Sequence, residues 1–339
     1  MKVAITGGTG HVGANLVRAM LARGWSVRAL IHDDGRALEG LPVEKVPGEV
    51  GDPDALRYLF EGAELVFHLA ARIALTRRDS DGTRRVNIEG PRNVAQACLA
   101  ARVRRLVHFS SIHAFDDRVG VGPIDEERGP MVDPARPLYG LTKAAGEKAV
   151  LEAVGQGLDA VIVNPCGVLG PHDYKGSAMG RVLAQLAAGR LPFVPASGFT
   201  WVDARDVAEG AIAAAERGQK GRRYLLAGTW ASIRQLGDLV DQATGLGRTR
   251  VTVPTWTAWA GVPFAALGSL LTGNPPGCTP DSLRVLQAET RATPARAASE
   301  LGFSARPLAE TVVDTLAWQR AYSSQPILAA WHHSREAVS

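Results

Sequence analysis

Short apolar runs alternate with stretches of helical periodicity through the first half of the chain. Lys2-Val3-Ala4-Ile5 is an apolar run that ends in glycines, and Ala14 to Leu21 follows with apolar residues at helical spacing. Ser26 to Ile31, Val43 to Val46, Leu65 to Leu69, Arg105 to Phe109 and Val161 to Val163 predict further strands. Pro91 to Ala101 and Leu141 to Val154 predict helices between them. Apolar strands separated by helices imply an α/β fold with a parallel sheet covered on both faces. In such a doubly wound fold, ligands sit at the carboxyl ends of the strands.

Polar and glycine residues collect at those ends. Gly7, Gly10 and Gly13 are spaced three apart between the first strand and the first helix. The first can turn the chain, the second can let the backbone approach a pyrophosphate, and the third can let helix pack on strand. The order strand, turn, helix and second strand is the context that makes a glycine triplet a dinucleotide signal. Asp52 follows the third predicted strand, Ala70-Ala71 the fourth, and Ser110-Ser111 the fifth. Each alone is equally an ordinary loop residue or helix cap; their placement on one edge of the sheet favours a site.

Tyr139 and Lys143 stand four apart in a helical pattern, so both side chains emerge on one face. A tyrosine is a poor base near neutrality, and a neighbouring ammonium lowers its pKa. The pair suits general acid or base work on a carbonyl and alcohol couple. Ser111 would hydrogen-bond the same oxygen.

Composition adds limits. The chain has 339 residues, 46% hydrophobic, enough for one large domain or two intimate ones. Cys98, Cys166 and Cys278 are odd in number and widely spaced, so neither a disulfide framework nor a metal site is expected. Met1-Lys2 runs straight into a strand, leaving no room for a signal peptide, and the cytoplasm is the expected location. The net charge is +4, but only six of the 38 basic residues are lysine and the arginines are scattered. No concentrated basic face supports a nucleic-acid partner.

On these motifs the chain resembles the extended short-chain dehydrogenases/reductases, within the NAD-dependent epimerase/dehydratase grouping. His68-Leu69-Ala70-Ala71, Val86-Asn87-Ile88-Glu89-Gly90, Asn164-Pro165 with Gly170-Pro171, and Trp201 to Ala208 carry the resemblance further. It implies a Rossmann-type doubly wound parallel sheet with a smaller, mostly C-terminal substrate domain. Residues 1–165 would form the dinucleotide domain, with 200–217 returning to it. Residues 166–199 and 218–322 would bind substrate, and 323–339 would be a tail. It further implies Ser111, Tyr139 and Lys143 as catalytic residues. The cofactor would be bound by Gly7, Thr9, Gly10, His11, Val12, Gly13, His32, Arg36, Asp52, Ala70, Ala71, Asn87, Lys143 and Pro165. A homodimer through the helices of Pro91 to Ala101 and Tyr139 to Val154 is expected.

Three departures narrow the chemistry. Ser111-Ile112-His113 stands where dehydratases resemble Thr-Asp-Glu, so the acid for dehydration is missing. The loop Pro195 to Thr200 lacks the arginine usual for sugar nucleotides, although Arg181, Arg190 or Arg205 could compensate. From Val251 to Pro280 no residue is charged, and Trp256 and Trp259 lie within that stretch. A membrane span, a packing or dimer-interface element, and an apolar lid over the substrate all remain open for it, with a span disfavoured by the prolines at 254 and 263. His113 either lines the pocket or is a structural histidine.

These features resemble the dihydroflavonol-reductase and 3β-hydroxysteroid-dehydrogenase branches. They imply hydride transfer between a nicotinamide and a ketone or secondary alcohol of an uncharged, cyclic, apolar substrate. The second strand ends at Ile31 rather than in a diol-binding carboxylate, and His32 and Arg36 follow, which tips the cofactor toward NADP(H) over NAD(H). A sugar epimerase using the same three residues and a non-catalytic dinucleotide-binding regulator are the alternatives.

Overall fold

The structure is a computed structural model that describes residues 1–73, 80–257, 280–288 and 291–323. The chain forms β1 (Lys2–Thr6), α1 (His11–Ala22), β2 (Ser26–Ile31), β3 (Val43–Pro47), α2 (Pro53–Phe60) and β4 (Leu65–His68). Then come α3 (Ser80–Arg84), α4 (Gly90–Ala100), β5 (Arg105–Phe109), α5 (Leu138–Gly155) and β6 (Ala160–Pro165). The second half holds β7 (Gly167–Leu169), α6 (Ala178–Ala187), β8 (Phe193–Pro195), β9 (Gly198–Asp203), α7 (Ala204–Arg217), β10 (Arg223–Leu226), β11 (Thr229–Ser232), α8 (Ile233–Thr244) and β12 (Val251–Val253).

Seven parallel strands build the central sheet in the order β10-β6-β5-β4-β1-β2-β3. Alternation along β1 decides its two faces. Val3 and Ile5 join a core formed with Leu16 and Met20 of α1 and Val207 and Ile212 of α7. Ala4 points the other way, into a core with Leu56 of α2, Val94 of α4 and Val150 of α5. Helices therefore cover both faces of the sheet, and the strand order reverses between β1 and β4. The crevice beyond the ends of those two strands is the ligand position in such sheets.

The smaller region is built on the three-stranded sheet β11-β9-β7. Its core joins Leu183 and Leu186 of α6, Leu236 and Val240 of α8, and Val312 and Leu316 of the helix Leu308–Ser323. The segments interleave: α7 packs on the large sheet, and β10 lengthens that sheet, although its sequence falls inside 218–322. Trp259, Cys278, most of the uncharged 251–280 stretch and nearly all of the 323–339 tail lie outside the described residues.

Candidate active site

The glycine turn is shaped by contacts that exclude side chains. Gly7 has φ +74°, and a Cβ there would lie 2.5 Å from the Ala70 backbone nitrogen. A Cβ on Gly13 would lie 2.2 Å from the Gly7 carbonyl oxygen, so the third glycine is what lets α1 close on the turn. A Cβ on Gly10 would meet only the Gly7 oxygen, at 3.4 Å. Gly10 also precedes α1 without a side-chain cap, leaving the first backbone N–H groups of that helix directed at the crevice. Open space above Gly10 and an uncapped helix start fit a pyrophosphate.

His11 does more than follow the turn. Its Nε2 lies 3.0 Å from the Gly170 oxygen and 3.2 Å from that of Pro171, and Asn15 donates to the Pro171 oxygen at 2.9 Å. The loop after β7 is thereby fastened over the start of α1. Val12 is partly buried against the core, and Thr9 is partly exposed on the turn.

Several expected cofactor residues are engaged by the protein itself. Asp52 caps α2, accepting from the nitrogens of Asp54 at 2.9 Å and Ala55 at 3.1 Å. Asn87 is buried in a π-helical turn, Arg85–Glu89, that links α3 to α4. Its amide accepts from the Arg72 nitrogen at 2.8 Å and donates to the Arg72 oxygen at 2.9 Å and the Thr142 hydroxyl at 3.1 Å. Asn87 thus ties the segment after β4 to α5, and a π-turn at such a place is common at functional sites. Ala70 donates to the Thr6 hydroxyl at 3.4 Å, Ala71 is exposed, and Pro165 is buried at the end of β6. Beyond β2, His32 is exposed at 3.4 Å from Asp33, whereas Arg36 grips Asp34 through Nε at 2.9 Å and Nη2 at 2.6 Å. That pairing holds the Asp34 carboxyl below its ordinary range.

The catalytic candidates converge at the ends of β5 and the start of α5. Pro137 precedes the first residue of α5, so Tyr139 and Lys143 lie in its first two turns. Ser111 is buried, opens a tight helical turn and accepts from the His113 nitrogen at 3.3 Å. Lys143 is 4% exposed and donates to the Phe109 oxygen at 2.6 Å. Burial lowers the Lys143 pKa to about 8, against the pull of the Glu147 carboxylate. Burial raises the Tyr139 pKa, and a hydrogen bond from Ser111 opposes the rise. The lowering expected from Lys143 does not appear at Tyr139, where burial dominates, and the ammonium donates to the Phe109 carbonyl.

Below this group lie two histidines that spacing alone did not reveal. His68 and His108 occupy paired positions on β4 and β5, fully buried, with ring centroids 5.3 Å apart. His68 Nδ1 meets the Thr6 hydroxyl at 2.6 Å. Burial lowers the His68 pKa to about 3 and that of His108 well below its ordinary value, with Lys143 adding to both. Both rings are neutral at physiological pH.

Of the expected substrate residues, His113 sets its ring edge-on to Tyr139 with centroids 6.0 Å apart. Burial brings its pKa to about 4. Trp256 is 69% exposed past the end of β12. A cavity of about 540 Å³ lies over the smaller region, lined by Val119, Ser197, Gly198, Trp230, Thr255 and Arg291. The loop Pro195 to Thr200 carries no charge, yet Arg291 brings a guanidinium to the same cavity, 4.5 Å from the Trp230 ring centre. Arg205 is taken up by Asp203 at 2.8 Å and Asp314 at 2.7 Å. Among the described residues, no cluster suits a metal ion and no helix is long and apolar enough to cross a membrane.

A glycine turn at the switch point of a parallel sheet, with serine, tyrosine and lysine beside it, defines a dinucleotide-dependent α/β enzyme. The model of the NAD dependent epimerase/dehydratase family matches residues 3–227, and the chain belongs to that family as an extended short-chain dehydrogenase/reductase. It is 36% identical over 336 residues to sterol demethylase protein B of Methylococcus capsulatus, covering 94% of this chain and 98% of that protein. It is 32% identical over 322 residues to a putative dihydroflavonol 4-reductase of Synechocystis, covering 93% of each. The crystal structure of gox2253 superposes with a TM-score of 0.82 at 30% identity, covering 95% of this chain and 98% of that one. A general redox role follows from these relatives.

Proposed function

We propose that the protein is a ketone reductase or secondary-alcohol dehydrogenase that prefers NADP(H) and acts on an uncharged, cyclic, apolar substrate. The observation that carries this reading is the Tyr139 hydroxyl, hydrogen-bonded by Ser111 and kept protonated by burial. A neutral phenol is a proton donor, which is the role ketone reduction requires. The names of the sterol and dihydroflavonol relatives agree with a ring-bearing substrate.

The nicotinamide, when bound, supplies or accepts the hydride. Gly7, Gly10 and Gly13 with the start of α1 would hold its pyrophosphate, and His11 would keep the loop after β7 over it. Ser111 and Tyr139 hold the substrate oxygen between them, and Tyr139 passes its proton to the forming alkoxide. Lys143, fixed by the Phe109 carbonyl, keeps a positive charge beside that oxygen below pH 8 or so. His113 borders the reacting group.

The NADP(H) preference rests on the absence of a carboxylate at Ile31 and on His32 and Arg36 beyond it. A 2′-phosphate offers Arg36 a stronger partner than Asp34. The same reading has the enzyme as a cytoplasmic homodimer paired through α4 and α5.

Arg291 supports one competing reading. A cation in the cavity beside Ser197 suits the phosphate of a sugar nucleotide, so a sugar epimerase remains the rival. The test is nicotinamide consumption over a panel of apolar cyclic ketones and UDP-sugars, with NADPH and NADH. Ketone-dependent net oxidation, faster with NADPH, supports the proposal; sugar interconversion without net oxidation would replace it.

A further inference from the structure

His11, Asn15 and Arg18 recur at helical spacing on one face of α1, and all three hold the loop after β7. His11 and Asn15 engage the carbonyls of Gly170 and Pro171, and Arg18 Nη2 donates to the Tyr174 hydroxyl at 2.8 Å. Between these anchors His172 adopts φ +65°, a left-handed conformation that costs energy in any residue with a side chain and persists only where the surroundings fix it. The helix Leu308–Ser323 presses on the loop from the other side. The Tyr174 ring meets Trp318 edge-on at 5.3 Å and Tyr322 edge-on at 5.2 Å. Held on both sides, the loop has its shape before a ligand arrives.

The residue this loop presents is Lys175. The Gly176 nitrogen donates to the Asp173 oxygen at 3.2 Å, closing a turn with Lys175 at its third position, and Gly176 has φ +66°. Asp173 is buried, and its Oδ2 accepts from the Ser177 nitrogen at 2.7 Å. Lys175 itself is exposed, and among the described residues no hydrogen bond or ion pair engages its ammonium.

One guanidinium fixes where that turn stands relative to the end of β2. Arg18 holds Tyr174 through Nη2 and the Ala37 carbonyl, at 3.1 Å, through Nη1. The residues adjoining those two are Lys175 and Arg36. Both act on one carboxylate: Asp34 is held below its ordinary range by its hydrogen bonds with Arg36 and, at longer range, by the charge of Lys175. Two cations from different segments thus converge on the carboxylate that a 2′-phosphate would displace.

We propose that Lys175, together with Arg36, forms the subsite for the 2′-phosphate of NADP(H), which makes Lys175 a specificity-determining residue. The proposal rests on the NADP(H) preference inferred above. Arg36 offers the phosphate a planar fork, whereas Lys175 offers a point charge that needs no fixed angle and suits an exposed turn. The phosphate takes Arg36 from Asp34, and Lys175 supplies a second positive charge to a group carrying close to two negative ones. The loop that His11 fastens over the start of α1 then grips the far end of the dinucleotide as well.

The experiment is fluorescence titration of the whole protein with NADPH and with NADH, in wild type, Lys175→Gln, Lys175→Arg and Arg36→Ala. Lys175 is exposed at a turn, so its replacement leaves the fold intact. Lys175→Gln is expected to raise the Kd for NADPH about fivefold and to change that for NADH less than about twofold. Lys175→Arg recovers most of the NADPH affinity, and added salt weakens NADPH binding less in Lys175→Gln than in wild type. A structural role for Lys175 would weaken both nucleotides alike, and that result overturns the proposal. An NADPH to NADH ratio unchanged in Lys175→Gln but lowered in Arg36→Ala overturns it too, while leaving the NADP(H) reading in place. Equal affinity for both nucleotides in wild type, unmoved by Arg36→Ala, removes that reading and this subsite with it.

Discussion

Lys143 donates a 2.6 Å hydrogen bond to the carbonyl oxygen of Phe109, the last residue of β5, and thereby couples the catalytic helix to the strand that leads into Ser111. A buried ammonium satisfied by one carbonyl is costly, and its pKa falls to about 8.

The rate of ketone reduction is accordingly expected to fall as pH rises through about 8, where Lys143 loses its charge. Stability moves the other way. The folded pKa lies below the unfolded value of 10.5, so the penalty for burying the ammonium is full below pH 8 and fades between there and 10.5. Lys143→Met should lower kcat by about a hundredfold and raise the melting temperature at neutral pH. An unchanged rate, or a less stable variant, would show that the ammonium is neither needed nor strained.

The stacked histidines predict acid sensitivity. The folded pKa of His68, about 3, lies below the ordinary 6.5, so its contribution to stability is complete above 6.5 and is lost as pH falls toward 3. By pH 4 that loss amounts to about 3 kcal/mol for His68 alone. Urea midpoints at pH 7 and pH 4 should therefore separate widely in wild type and less so in His68→Gln. Equal separations would mean that the pair does not govern the acid limb.

The three glycines of the turn should divide into two kinds. Gly7→Ala and Gly13→Ala place a Cβ 2.5 Å and 2.2 Å from backbone atoms, so each should lower stability by about 1–3 kcal/mol. Gly10→Ala meets backbone only at 3.4 Å and should leave the melting temperature nearly unchanged. Its effect should appear instead as at least a tenfold loss of dinucleotide affinity, because the methyl group stands where the pyrophosphate approaches. Equal melting losses for all three would contradict this division.

How much of this was legible in the sequence depended on whether a feature stayed inside one element. The glycine turn, the parallel strands and the Tyr139–Lys143 face follow from local spacing, and the fold carries each of them. Asp52 is local too, but spacing could not tell a helix cap from a ligand residue, and its carboxylate caps α2. Features that cross elements were hidden. The His68–His108 stack depends on strand register over forty positions, and the Glu147–Asn164 bond on how α5 settles against β6. Arg291 reaches the cavity beside Ser197 from nearly a hundred residues away, which no reading of the Pro195 to Thr200 loop could supply.

The proposed NADP(H) preference can be tested at the Asp34–Arg36 pair. Arg36→Ala should raise the Kd for NADPH about tenfold while changing that for NADH less than about twofold, since only the 2′-phosphate needs the guanidinium. Asp34→Asn should have the opposite sign, releasing Arg36 for that phosphate. Fluorescence titration of both nucleotides measures this, and parallel changes for the two would remove the basis for an NADP(H) preference.

In the proposed reaction Tyr139 gives its proton to a ketone oxygen as hydride arrives at the carbon. The most direct measurement follows deuterium from NADPH carrying two deuteriums at C4 into product in wild type and Tyr139→Phe. Wild type should place one deuterium on the carbinol carbon. Tyr139→Phe should be about a thousandfold slower, with NADPH affinity intact. A product alcohol without deuterium, or a Tyr139→Phe protein as fast as wild type, would contradict it.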